Sequence, residues 1–187
     1  MYPPPGLSTK IDHPNRFTKL NSSRLKKHDF QEISHLSEVN SFAEDDSWDK
    51  ECITVTIDSG ASDSVMNKNM AKDCKMRPSE GSRSGVKYLA AGGEVIKNEG
   101  EKKMAVRTEE GHTCNLNMQI TAVNKALLSV SKICDAGHEV VFHKHGGRIV
   151  NQFNGQQMNF SRENGVYRMK LHVLGDAATT YFQRQGK

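Results

Sequence analysis

The first regular pattern of apolar and polar positions is Ile53-Thr-Val-Thr-Ile57, where β-branched apolar residues alternate with threonines. Alternation at period two predicts a strand with one buried face. That strand runs directly into Asp58-Ser59-Gly60-Ala61-Ser62, which carries an acid and a hydroxyl onto a turn. Met66, Met70 and Cys74 recur every four residues, as in a short helix or an irregular connection, and 77–82 (Arg-Pro-Ser-Glu-Gly-Ser) reads as a turn-rich loop. Residues 85–97 predict a hairpin around Gly92-Gly93, a pair that adopts positive φ at little cost. A second hairpin joins 103–108 to 114–121 across the turn at 109–111. Leu127, Val130, Ile133 and Cys134 then shift to helical spacing, so 126–137 predicts a helix ending at Gly137. Strands follow at 138–142 and 148–150 around Gly146-Gly147, and a last hairpin turns at Asn164-Gly165 between 158–160 and 166–173.

The first fifty residues lack this regularity. Pro3-Pro4-Pro5-Gly6 favours an extended start, and Phe30, Ile33, Leu36 and Val39 suggest one short amphipathic helix near 29–40. Trp48, the only tryptophan, marks where order is expected to begin. The expected organisation is a flexible arm over 1–47, a main domain over 48–152, an extra β-hairpin over 153–173 and a disordered tail over 174–187. A hydrophobic content of 35% in 187 residues agrees with part of the chain staying outside a core.

Charge narrows the partners. The net charge is +4, and residues 1–50, 51–150 and 151–187 carry 7 basic against 8 acidic, 14 against 12, and 5 against 2 residues. No segment is basic enough to argue for direct nucleic-acid binding. No apolar run is long enough for a membrane span and no export signal is recognisable, so an intracellular, cytoplasmic setting with Cys52, Cys74, Cys114 and Cys134 reduced is the expectation. His112, Cys114, Cys134, His138, His143 and His145 lack the close Cys-x-x-Cys pairing of a zinc site, and neither a metal nor a cofactor is expected. Read as a phosphorylation-dependent docking motif, Asp58 to Asp63 would need an exposed flexible chain, which the preceding strand argues against.

Asp-Ser-Gly-Ala after an apolar strand, Ala91-Gly92-Gly93 some thirty residues on, and Leu127-Leu128-Ser129-Val130 running through to Ala136-Gly137 come in an order that resembles the retroviral-type aspartic proteases (retropepsins). The resemblance is closer to the proteases of copia-type retrotransposons and covers roughly residues 50–150. It implies a mainly-β, closed-barrel protomer with one short helix in its C-terminal half. It also implies hydrolysis of peptide bonds, in a polyprotein substrate, by an Asp58 dyad assembled in a homodimer. Ser59, Gly60 and Ala61 would then form the active-site loop, and the hairpin carrying Tyr88, Leu89, Ala91, Gly92, Gly93 and Val95 the flap over the substrate. Ser129 departs from the glycine that most retropepsins carry near this place. An inactive, retropepsin-like dimerisation module remains the competing expectation.

Overall fold

In the computed structural model, residues 51–176 and 178–180 are described. Among them, eleven strands and two short helices come in order before position 174: β1 (Glu51–Asp58), β2 (Val65–Met66), α1 (Glu80–Arg83), β3 (Lys87–Leu89), β4 (Val95–Lys97), β5 (Gly100–Thr108), β6 (Thr113–Ile120), β7 (Ala126–Ser129), α2 (Val130–Asp135), β8 (His138–His143), β9 (Gly146–Asn151), β10 (Gln157–Glu163) and β11 (Val166–Val173). The order β1-β7-β2-β6-β5-β11 closes on itself through a β1–β11 pairing, giving a six-stranded barrel. Its interior is filled by alternate residues, as the strand period requires. Ile53, Val55 and Ile57 of β1 meet Met66, Met104, Val106, Met118, Ile120, Leu128, Leu171 and Val173 there. Each such side chain contributes about 1.5–3 kcal/mol relative to an exposed one.

β1 has neighbours on both sides. It runs antiparallel to β11 from Glu51↔Val173 to Thr56↔Arg168, and parallel to β7 from Val55↔Ala126 to Asp58↔Ser129. β2 returns on the far side of β7, with Val65 opposite Leu127. The connection 59–64 therefore steps over the end of β7. Loop 67–75 is held differently: Lys102 Nζ, on a buried residue of β5, donates to the carbonyl oxygens of Lys68, Met70 and Ala71 at 2.9, 2.9 and 3.1 Å.

Beyond β11 the sheet continues through β10 and β9 to β8. Gly147 is required there by close approach. A Cβ on it would collide with the Val141 carbonyl oxygen and the Phe160 ring. The rings of Phe142, Phe160 and Tyr167 pack on one another beside it, with centroids 4.8–5.8 Å apart.

The mainly-β content, the hairpins at 85–97, 103–121 and 158–173, and the strands at 138–142 and 148–150 agree with the sequence pattern, and the closed barrel agrees with what the resemblance implied. Four expectations need correction. Residues 126–129 form strand β7 rather than the first turn of a helix. β7 is covered on both faces, Ala126 and Leu128 by the barrel interior and Leu127 by the cluster under the hairpin, so its apolar run does not alternate and merges with that of α2. The hairpin over 153–173 is not an addition to a domain ending at 152, because β11 closes the barrel. Residues 174–176 and 178–180 are not a frayed tail: Leu174 and Ala178 pack on Ala105, whose backbone N–H donates to Thr179 Oγ1 at 2.8 Å. The loop at 77–82 contains the start of α1, capped by Ser79 and Ser82 in a reciprocal pair. The arm over 1–47, the helix near 29–40, Trp48 and the tail beyond 180 lie outside the described residues.

Candidate active site

β1 delivers Asp58 to the rim of the barrel. The next residues form a turn in which the Gly60 N–H donates to Asp58 Oδ1 at 2.8 Å. Gly60 is not among the residues with positive φ. Its role is thus a donor that fits close to the carboxylate, not left-handed backbone. Asp58 is half-buried, Ser59 beside it is exposed, and Ala61 is buried. Ala61 is small where the loop crosses β7: Ser129 Oγ donates to its carbonyl oxygen at 2.7 Å. The Ser129 N–H in turn donates to Ser64 Oγ at 3.1 Å. Ser129 therefore clamps both ends of the 61–64 segment while also capping α2, with its Oγ accepting from the Lys132 N–H. Within the loop, Ser62 Oγ is buried without a hydrogen-bond partner among the described residues.

The hairpin of β3 and β4 is a separate two-stranded sheet. Its turn is closed by Gly93 N–H to Ala90 O at 2.9 Å and Ala90 N–H to Glu94 O at 2.8 Å, with Gly93 at φ +84°. Ala91, Gly92, Gly93, Glu94 and Val95 are exposed at the tip, with Val95 at 51%. Leu89 and Val95 pair across the strands on one face; Tyr88 and Ile96 pair on the other. Tyr88 is 1% exposed, so the expectation that it packs against a substrate alongside Leu89 and Val95 is corrected. Its ring lies in an apolar cluster with Val65, Ile96 and Val123.

The Tyr88 hydroxyl donates to Asp63 Oδ2 at 3.0 Å. Lys132 Nζ of α2 lies 3.6 Å from Asp63 Oδ1. Asn98 Nδ2 donates to Tyr88 Oη at 3.1 Å and to Gln119 Oε1 at 2.8 Å, while Asn98 Oδ1 accepts from the Gly100 N–H at 2.9 Å and from Ser79 Oγ at 3.3 Å. All four hydrogen-bonding positions of the Asn98 amide are filled. Burial, followed by the negative charge of Asp63, raises the Tyr88 phenol above its ordinary range, so it remains a donor. Asp63 is buried and joins the loop to the hairpin and to α2.

A groove of about 560 Å³ runs along the outer face of β1 and is lined by Thr54, Thr56, Lys125, Glu163, Arg168 and Lys170 among others. Thr54, Thr56 and Asp58 share that face by alternation. Asp58 itself does not line the groove. Two of its cations are already paired, Arg168 with Glu163 at 3.6 Å and Lys170 with Glu109 at 3.7 Å. Among the described residues no cluster of His, Cys, Asp or Glu is arranged to hold a metal, and all four cysteines are free. No helix among them is long and apolar enough to cross a membrane.

The turn at Asp58 and the exposed Gly-rich tip were recognisable from sequence. Ser129 was noted within Leu127–Val130, but nothing in the sequence showed its clamp on 61–64, and Asn98, between Lys97 and Glu99, gives no sequence signal. Comparison of the chain with family models, with curated proteins and with solved structures finds no match.

Proposed function

We propose that this chain is one subunit of a retropepsin-like aspartic endopeptidase of the copia retrotransposon type. The observation that supports it most is the setting of Asp58: a carboxylate held on a hydrogen-bonded turn at a barrel rim, beside an exposed serine, with the following segment clamped to a parallel strand. Peptide hydrolysis without a metal or a covalent intermediate needs water held between a base and an acid. Two adjacent carboxylates supply both, because they cannot both ionise easily and so share one proton.

The sequence contains one Asp-Ser-Gly. Asp135-Ala136-Gly137 lacks the hydroxyl and lies at the end of α2. The second carboxylate is therefore assigned to another copy of the chain, related by a two-fold axis through the Asp58 loops. Ser59 of each copy is free to hydrogen-bond across that axis. The substrate is an extended polypeptide, a segment of a polyprotein, gripped through its main chain. The hairpin tip at Ala91–Val95 closes over it and excludes water.

The test is cleavage of a peptide library at mildly acidic pH, with and without a statine-type transition-state mimic. The wild type should cleave and be inhibited, and Asp58→Asn should lose about 10²–10⁴-fold or more of the rate while keeping its fold. Cleavage by Asp58→Asn at the wild-type rate would overturn the reading. A dimeric wild type that cleaves nothing would favour a non-catalytic dimerisation module instead.

A further inference from the structure

The β3–β4 hairpin belongs to no larger sheet, yet its base is fixed. At its root the Asn98 N–H closes the hairpin on Val86 O, and the ties to the barrel lie beside it, where Thr121 Oγ1 donates to Lys97 O and the Glu99 N–H donates to Ile120 O. The remainder is side-chain contact. The underside pair Tyr88 and Ile96 sits on Val65 and Val123, and the Tyr88 hydroxyl reaches Asp63. Asp63 is five positions after Asp58, in the connection that Ser129 clamps. One hydrogen bond thus joins the lid candidate to the loop carrying the candidate catalytic acid. Both partners are buried, Tyr88 at 1% and Asp63 at 8% exposure, and each is braced from behind: Tyr88 by Asn98, Asp63 by Lys132. A buried carboxylate–phenol bond of this kind is directional and costly to leave open.

We propose that the Tyr88–Asp63 hydrogen bond is a latch that sets the position of the β3–β4 hairpin relative to the Asp58 loop, with Asn98 and Lys132 as positioning residues that hold the two partners in register. Its effect on cleavage rests on the proteolytic reading above; the latch itself does not. When the latch is made, the hairpin base and the 59–64 connection move as one body. When it opens, the tip swings on the root at Val86 and Asn98 while the barrel stays intact.

Backbone amide hydrogen exchange tests this on the intact chain. Tyr88→Phe keeps the ring in its apolar cluster and removes only the hydroxyl. It should speed exchange at the Ala90 and Asn98 amides by about 10–100-fold, with the Met104 and Met118 amides unchanged. Asp63→Asn keeps an acceptor oxygen but loses the Lys132 pair, so it should speed the same amides less. Should Tyr88→Phe fail to fold, Lys132→Met serves in its place, and a few-fold acceleration confined to the hairpin is expected. Hairpin amides exchanging at the wild-type rate, or acceleration spread equally to Met104 and Met118, would overturn the latch. In kinetics, Tyr88→Phe should raise KM more than it lowers kcat. A wild type that cleaves no peptide but whose hairpin loosens in Tyr88→Phe would refute the protease and leave the latch standing.

Discussion

β5 and β6 pair over eight residues, from Gly100↔Ile120 to Arg107↔Thr113, and strands on either side of them carry the ladder around the barrel. β3 and β4 pair over three and join no further strand. The barrel is held by main-chain bonds around a continuous apolar interior, so it should open only when the whole unit unfolds. The hairpin is held by one small apolar cluster and a chain of buried polar side chains. Such a segment can open locally at a fraction of the global free energy. The lid role proposed for the hairpin requires movement against a fixed base, and the two kinds of bonding are compatible with that.

The largest expected effect comes from breaking the barrel. Met104→Ala, at a fully buried position in β5, should destabilise the whole unit by about 2–5 kcal/mol, read as a lowered denaturation midpoint with every barrel amide affected together. Ile96→Ala, under the hairpin, should show most of its effect as faster exchange in 87–97 instead. If both variants gave the same global loss, the two regions would not differ as described. Next in size is Gly147→Ala, where the new methyl meets the Val141 carbonyl and the Phe160 ring; about 1–3 kcal/mol of destabilisation is expected in chemical denaturation. Gly93→Ala adds a methyl to open space but at φ +84°. Only backbone strain of about 1–2 kcal/mol is expected, confined to the hairpin and visible as locally faster exchange.

The smallest expected effect is a pH dependence. His138, buried with its Nδ1 3.1 Å from Ala136 O, has its pKa lowered from 6.5 by desolvation. The unfolded chain therefore binds the proton more readily than the folded one. Stability from this group is full above 6.5, falls as pH drops through that value, and levels off below the folded-state pKa. His138→Gln should flatten that part of a stability–pH curve.

The same contrast in bonding explains what was legible in the sequence. Hairpins were legible because alternation and Gly turns are local signals: 103–108 with 114–121, and the turn at Asn164-Gly165. β7 was not, because a strand covered on both faces has no polar side to break its run into α2. The closure of the barrel by β11 was not, because nothing in Val166–Val173 names Glu51–Thr56 as its partner. In the candidate site, Asp58 stood out because strand, acid and glycine are contiguous. The Tyr88–Asp63 bond did not, since its partners lie 25 residues apart and a tyrosine in a short strand gives no sign of which face it takes.

In the proposed function, Asp58 is half of a dyad completed by a second copy. Mixing wild-type chain with Asp58→Asn tests it most directly. After exchange at equal amounts and fixed total concentration, peptide cleavage should fall to about one quarter of the all-wild-type value, because only dimers with two intact Asp58 loops are active. A fall to about one half would mean that each chain works alone, and would contradict the account.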